Sequence, residues 1–449
     1  MDTNIGAKER VTQNRLIGLF KNVLKYTYLG NWETREDNAN IEETLLTAYL
    51  SRRGYTDKEI RSAIVKLKQS ANSLGGGLYN ANKEVYTFLR YGVNIQAEVT
   101  EKKKMVHLID WANPMENDFQ IAEEVTIQGA SDRRPDLVVY VNGIALAVIE
   151  LKRSTVSAHE GIRQNIRNQQ DGYIPRFFTT IQLLFAGNDT EGLHYGVIKT
   201  PEKFWLRWKE PCGEPCQPSH FTAKEYPNEL DRSVLQFFEP VRLLEYIHDF
   251  IIFDGGIKKT ARPNQYFAVK AAQPRVRKKQ NGIIWHSQGS GKSLTMVWLA
   301  QWIRENVSDA RVVIITDRDE LDKQIESGFK DVGEQIQRDK SGGKLIEMLN
   351  AAEPWLICTL IHNFGNRSDG VAISVGNRKA NKSLDVYLEE LAKSLPADFR
   401  AKGNIYVFID ECHRTQGGLL HEAMKHIMGD DVMLIGFTGT PLLHTDKKK

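Results

Sequence analysis

Apolar residues recur every three or four positions over NRLIGLFKNVLKYTY (14–28) and IEETLLTAYLSRRGY (41–55), the spacing of helices with one buried face. Thr56 and Glu59 then form T-x-x-E, a capping box that opens a third helix over KEIRSAIVKLKQSA (58–71). From about residue 77 the pattern becomes strand-like: YTFLRYGVNIQAEV (86–99), MVHLIDW (105–111) and QIAEEVTI (120–127) carry β-branched residues and alternation. RRPDLVVYVNGIALAVIELK (133–152) reads as a hairpin, two apolar runs around Asn-Gly. A helical segment over about 156–172 and strands in TIQLLFAG and HYGVIKT follow it. FDGGIKKTAR (253–262) has no periodicity and reads as a linker. Beyond residue 281 the runs NGIIWHSQ, ARVVIITD, PWLICTL, NIYVFIDE and VMLIGFT each lead toward a helical stretch. Short apolar strands alternating with helices predict a parallel sheet covered on both faces.

A length of 449 residues predicts two or three domains, and the change of texture divides the chain into 1–255 and 256–449. The net charge of +3, with 26% charged residues, is too slight a basic excess to argue for nucleic acid by itself. No apolar run approaches the roughly 20 residues of a spanning helix, and MDTNIGAKERV lacks the apolar stretch of a signal peptide. Four cysteines, two of them in motif stretches (Cys358, Cys412), predict a reducing, cytoplasmic setting. Cys212 and Cys216 have no second Cys/His pair at ligand spacing, so a surface loop is expected there rather than zinc.

Two sets of residues carry chemistry. Gly289-Ser290-Gly291-Lys292-Ser293 lies between an apolar strand and a helix. There consecutive N–H groups cradle phosphates, Lys292 reaches the terminal phosphates of ATP, and the Ser293 hydroxyl ligates Mg2+. His286 stands where the general phosphate-loop pattern has its first glycine. Asp410 and Glu411 end the run IYVFI, which places them at a strand's C-terminal edge. Asp410 is expected to hold Mg2+ through water, and Glu411 to orient the attacking water. Thr316-Asp317-Arg318, Cys358-Thr359 and Thr438-Gly439-Thr440-Pro441 close three further strands. In this order the motifs resemble the first RecA-like domain of superfamily 2 helicases and translocases. That resemblance implies that Thr316, Asp317, Arg318, Thr359, Thr438, Gly439 and Thr440 lie near nucleic acid or couple it to ATP. Gln265 is similar to the glutamine that reads adenine in that family, and it is equally well placed to cap a helix.

The second set is in the hairpin. A strict two-residue Asn142-Gly143 turn pairs Val141 with Ile144 and hence Asp136 with Ile149, which sends Asp136 and Glu150 to opposite faces. One extra residue, in the turn or as a bulge, sets Asp136 opposite Glu150 with Lys152 on the same face. That irregularity is predicted. Two carboxylates and a lysine so placed suit Mg2+-dependent phosphodiester hydrolysis, with Asp136 and Glu150 as ligands and Lys152 orienting water or stabilising phosphorane charge.

Pro135-Asp136 followed by Glu150-Leu151-Lys152 resembles the PD-(D/E)xK nuclease pattern. Gln169 and Tyr173, four apart and so expected on one helix face, resemble the accessory motif of its RecB-like branch, where these side chains contact the substrate backbone. Glu42, in phase with Leu46 and Leu50, is the candidate for the helix-borne acid that such nucleases often carry beside the metal. Arg133, Arg134, Arg153, Arg163, Arg167 and Arg176 would neutralise phosphates around the site.

The stretches LIDWANP-ENDFQIAEEVTI, RRPDLVVYVNGIALAVIELK, QQDGY, YGVIKTPEKFWLRWKE and WHSQGSGKS, in this order, resemble the restriction (R) subunit of type I restriction-modification enzymes from about residue 14 to 442. The resemblance implies an α/β nuclease domain followed by a RecA-like motor domain, with Mg2+ and ATP as cofactors. It also implies double-stranded DNA and the modification and specificity subunits as partners. The implied activity is ATP-driven translocation and cleavage away from an unmethylated site. The chain stops soon after Pro441, so a second RecA-like domain and its arginine finger are expected to be absent, and weak nucleotide binding, slow hydrolysis and no translocation are expected of this polypeptide. A repair-type nuclease-helicase would share both sites but not the WANP-to-VTI stretch. A non-catalytic DNA-binding scaffold would tolerate loss of Asp136 or Lys152.

Overall fold

A computed structural model of the chain describes residues 5–96, 103–211, 220–316, 336–338, 347–351, 353–360, 399, 401–410, 428–429 and 431–439. The chain divides into two compact units, one of residues 1–210 with 218–260 and the other of 211–217 with 261–449.

In the first unit the amphipathic patterns become α1 (Ile5–Asn22), β1 (Thr27–Asn31), α2 (Glu43–Arg52) and α3 (Asp57–Asn72). The capping box is present, with the Thr56 hydroxyl accepting from Glu59 N and the Glu59 carboxylate from Thr56 N. Next come α4 (Gly77–Tyr91), the short strands β2 (Val93–Ile95) and β3 (Lys104–Val106), and then β4 (Phe119–Glu123). Here the sequence reading is corrected: YTFLRY is the end of α4, because Leu78, Ala81, Val85 and Leu89 keep a helical spacing and are buried together. That burial outweighs the strand propensity of the aromatic residues.

The hairpin strands β5 (Leu137–Val141) and β6 (Ile144–Leu151) are followed by α5 (Ala158–Asn168), β7 (Leu183–Asn188), β8 (Gly192–Gly196) and β9 (Leu206–Arg207). Helices α6 (Glu229–Phe238) and α7 (Pro240–Asp249) lead into β10 (Ile251–Asp254) and β11 (Ile257–Thr260). The last two pair as an antiparallel hairpin, so the stretch read as a linker is ordered structure. A mixed seven-stranded sheet runs β1-β4-β5-β6-β7-β8-β9. Ile162 of α5 packs with Val138, Tyr140, Val148, Leu184 and Ala186 on one face. On the other face Phe237 and Phe238 of α6 stack against Phe185 at ring separations of 4.9 and 4.6 Å. Burial on both faces is why every residue of β4, β5, β6 and β7 is buried and why β5 and β6 read as nearly unbroken apolar runs.

The turn of the site-bearing hairpin is a two-residue Asn142-Gly143 turn with φ of 54° and 79°, the left-handed pair of a type I′ turn. A Cβ on Gly143 would lie 2.7 Å from Leu45 Cβ and 2.8 Å from Glu42 O. Gly143→Ala is therefore expected to destabilise the unit by roughly 2–4 kcal/mol through clash and a left-handed alanine, read as a lower urea midpoint; an unchanged midpoint would mean that the turn does not pack on α2. The WANP-END stretch is explained by the same turn. Asn142 Nδ2 donates to Leu108 O at 2.9 Å and to Asn117 Oδ1 at 2.8 Å, while its Oδ1 accepts from Asp118 N at 2.7 Å.

In the second unit α8 (Pro263–Arg277), β12 (Gly282–Trp285), α9 (Lys292–Asn306) and β13 (Ala310–Thr316) precede β14 (Gln337–Arg338), β15 (Leu356–Leu360), β16 (Asn404–Asp410) and β17 (Met433–Thr438). The six strands form one sheet in the order β12-β17-β16-β13-β15-β14. All its pairings are parallel, as short apolar runs separated by helices predict.

Candidate active site and nucleotide loop

The predicted irregularity is present as a bulge. Val141 pairs with Ile144 and Tyr140 with Ala145, but Val139 pairs with Ala147 and Leu137 with Ile149. Leu146 is the unpaired extra residue, and its insertion sets Asp136, just before β5, opposite Glu150. Asp136 Oδ2 accepts from Leu151 N at 2.6 Å. Lys152 Nζ lies 3.9 Å from Asp136 Oδ2 and 3.5 Å from Glu9 Oε1. Glu150 is fully buried, and its Oε2 accepts from Gln164 Nε2 at 2.7 Å. Its Oε1 is inaccessible and has no hydrogen-bond donor.

The electrostatics follow from that crowding. Burial pushes the Asp136 carboxyl up to about 6, with Lys152 and the Leu151 N–H opposing and Glu9 and Glu124 adding. Burial and then the Asp136 charge push Glu150 well above the usual carboxylate range. For Lys152, burial acts to lower the pKa, but Asp136, Glu150 and Glu9 together raise it, so it remains an ammonium. Two facing carboxylates, one with an oxygen that no donor satisfies, fit a hard divalent cation, which takes oxygen ligands and compensates such charge.

Three assignments made from the sequence are corrected. Glu42 is the N-cap residue of α2, and its carboxylate binds Arg35 at 3.1 and 2.6 Å. Its own N–H donates to Gly143 O at 2.8 Å, so it stands at the turn end of the hairpin, remote from the carboxylate end. Gln169 and Tyr173 do not share a helix face, because α5 ends at Asn168. Gln169 Nε2 donates to Asn165 O at 2.9 Å and its Oε1 accepts from Lys199 N at 2.7 Å. The Tyr173 ring lies under the Arg133 guanidinium at 4.1 Å. Two of the basic residues already have acidic partners, Arg134 with Glu33 and Glu124 and Arg163 with Glu160 and Glu202.

Two residues at the site were not picked out from the sequence. Glu9 of α1 is the helix-borne acid that reaches Lys152. Gln164 of α5 bonds Glu150 because α5 runs close to the strands: a Cβ on Gly161 would be 3.1 Å from Ala186 Cβ and 3.3 Å from Glu150 Cβ. The available signal for Gln164 was a polar side chain beside the buried stripe Gly161, Asn165 and Asn168.

In the second unit the nucleotide loop joins β12 to α9. Gly289 and Gly291 have φ of 77° and 85°, Lys292 and Ser293 open α9, and Ser290 Oγ is buried without a hydrogen-bond partner. Trp285 pairs with Thr438 and Asp410 with Phe437, so the ends of β12, β16 and β17 meet at one edge. A Cβ on Gly439 would lie 3.7 Å from Lys292 Nζ. Thr316 ends β13 at the same edge, and Thr359 lies one residue from the end of β15. Left-handed glycines, a helix N-terminus and an unsatisfied hydroxyl fit a bound phosphate chain. Gln265 is 2% exposed, with Oε1 accepting from Arg262 N at 2.8 Å and Nε2 donating to Gly291 O at 2.9 Å. Both ends of its amide are thus spent on the helix cap and the loop, so of the two readings offered by the sequence the structure holds the helix cap, not adenine. Burial holds the His286 imidazole below its usual range, with Lys292 adding to the effect and a hydrogen bond to the Asn264 backbone carbonyl opposing it. Asp317, Arg318, Glu411 and Thr440 lie outside the described residues.

Residues 7–203 match the family model of the type I restriction enzyme R protein N terminus. Residues 264–449 match that of the SWI2/SNF2 ATPase. Over most of its length the chain is similar to the endonuclease subunits of type I restriction enzymes. It is 26% identical over 414 residues to the putative type I restriction enzyme MjaIXP endonuclease subunit of Methanocaldococcus jannaschii, covering 85% of this chain and 37% of that protein. It is 27% identical over 417 residues to the HindI endonuclease subunit of Haemophilus influenzae, covering 85% and 37%. The chain therefore spans little more than a third of the length of these relatives. Among solved structures it is similar to the Sulfolobus solfataricus SWI2/SNF2 ATPase core in complex with dsDNA, with a TM-score of 0.30 and 14% identity over 44% of this chain and 35% of that one. A likeness at that level carries no functional argument. Among the described residues no helix is long and apolar enough to cross a membrane.

Proposed function

We propose that this chain supplies the nuclease centre and an ATP-binding lobe of a type I restriction R subunit. The first unit, which runs to Thr260 rather than to residue 255, acts as a PD-(D/E)xK endonuclease domain, and the second as the first RecA-like domain of a motor that translocates double-stranded DNA. The whole subunit works in the cytoplasm with modification and specificity subunits, cutting DNA away from an unmethylated site. The observation that carries the reading is Glu150 Oε1, buried without a donor on a carboxylate set opposite Asp136 by the Leu146 bulge.

Asp136 and Glu150 would hold Mg2+, which when bound supplies Lewis-acid polarisation of the phosphodiester and a more acidic water. The chain's own groups do the rest. Gln164 holds Glu150 by one oxygen and leaves the other for the cation. Lys152, kept charged by Asp136, Glu150 and Glu9, donates to a phosphate oxygen as charge builds there; an ammonium cannot act as the base. Glu9 positions Lys152 from α1. In the motor lobe the N–H groups of residues 289–292 would cradle the phosphates of ATP, Lys292 would neutralise them, Ser293 and Asp410 would hold Mg2+, and Glu411 would orient water.

The test is cleavage of unmodified circular DNA by the full-length subunit assembled with its partner subunits, with ATP and Mg2+. Asp136→Ala is expected to lower cleavage by roughly 10³-fold, the loss of several kcal/mol of charge stabilisation, while ATP hydrolysis persists. Cleavage at the wild-type rate by that variant would defeat the reading, and equal cutting of methylated and unmethylated DNA would favour a repair-type enzyme.

A further inference from the structure

Lys258 of β11 is 3% exposed, and no carboxylate among the described residues pairs with it. Its Nζ donates to Asn82 Oδ1 at 2.8 Å and to Gln182 Oε1 at 2.6 Å, between the rings of Phe253 and Tyr86 at 5.2 and 6.0 Å. Burying an amine in such a place is costly, whereas methionine would fill the space without that cost.

Both acceptors are themselves fully buried and tied to one segment. Asn82 Nδ2 donates to Phe178 O, Thr179 O and Ile181 O at 3.1, 2.9 and 2.8 Å. Gln182 Nε2 donates to Thr180 O at 2.7 Å. Lys258 thereby clamps residues 178–182, the approach to β7. The next bond in the series is the informative one: Gln182 N donates to Leu146 O at 2.8 Å, and Leu146 is the unpaired residue of the β6 bulge. Without that bulge Asp136 falls opposite Ile149, and the carboxylates no longer share a face.

We propose that Lys258 is a positioning residue for the Asp136–Glu150 pair, holding through Gln182 the bulge at Leu146 on which their shared face depends. The proposal rests on the nuclease reading given above. It assigns a role in that site to a side chain on the opposite end of the unit's sequence, with no contact to either carboxylate.

Mn2+ binding by the full chain without nucleotide, with the Asp136→Ala chain as background, is to be measured beside hydrogen exchange. In Lys258→Met, Mn2+ affinity is expected to fall at least about tenfold, as for supporting contacts of metal sites, and the Gln182 amide to exchange about tenfold faster. Exchange in α8 and α9 should not change. If Lys258→Met fails to fold, Gln182→Met removes the same clamp while keeping the Gln182 N–H, and the same two changes are expected. Faster exchange at Gln182 with wild-type Mn2+ affinity would overturn the proposal, leaving Lys258 a structural contact only. Unchanged exchange would overturn it too. If the wild-type chain binds no more Mn2+ than Asp136→Ala, the nuclease reading has failed, and the clamp is then decided by exchange at Gln182 and Ala147 alone.

Discussion

Glu150→Gln is expected to abolish DNA cleavage while making the metal-free chain more stable, and increasingly so as pH rises. The sign follows from where the carboxyls sit. A carboxyl whose folded pKa is raised contributes its full stability below its ordinary value and loses it as pH climbs through the folded value. Asp136 is raised from 3.8 to about 6, chiefly by burial, and since both chains carry it that loss is common to them. Glu150 is raised further in the same direction by burial and by Asp136. Wild type and Glu150→Gln should therefore have similar melting temperatures near pH 4 and diverge progressively as pH rises past the ordinary Glu150 value of 4.5, with the variant the more stable. Ca2+ should narrow the gap by stabilising the wild type alone. Parallel melting curves across that range, with no response to Ca2+, would show that the two carboxyls are not a desolvated pair.

Lys292→Ala is expected to weaken Mg2+-nucleotide binding by roughly 10- to 150-fold, the worth of about 1.5–3 kcal/mol for a hydrogen bond to a charged group. The reason is local. Lys292 is the first residue of α9, behind two left-handed glycines, and its amine lies beside Gly439 at the sheet edge where Asp410 also ends its strand. The phosphates that the loop N–H groups would hold have their charge met there. Titration of a fluorescent ADP analogue reads the effect, and equal affinities would mean that the loop does not bind phosphate as its geometry suggests. The stability of the first unit should be indifferent to this substitution, since the two units are separately compact.

Much of the site was legible before folding was considered. Asn142-Gly143 announced a turn, the apolar runs around it announced two strands, and the requirement that Asp136 and Glu150 share a face demanded an irregularity. The structure meets that demand with a bulge at Leu146 rather than a longer turn, since Gly143 is wedged against α2 and leaves no room for a third loop residue. The errors have a common origin. Glu42 was chosen by helical phase, which places a residue on a face but does not say which end of the sheet that face meets, and Gln169 by a motif whose four-residue spacing assumes that the helix continues. Tyr173 was put on a helix that Gln169 already caps, and the β10–β11 hairpin was missed because its four-residue strands carry too few alternations to read.

By itself the sequence determined what depends on neighbours along the chain: the capping box at Thr56, the Asn-Gly turn, the left-handed glycines of the nucleotide loop, and the charged residues ending apolar strands. Only the tertiary structure decided which side chains stand around those charges. Glu9 comes from α1, Gln164 from a helix drawn in by Gly161, and Lys258 from the last hairpin of the unit. Their places are set by how helices and strands far apart in sequence pack on a two-faced sheet, and no local periodicity encodes that packing.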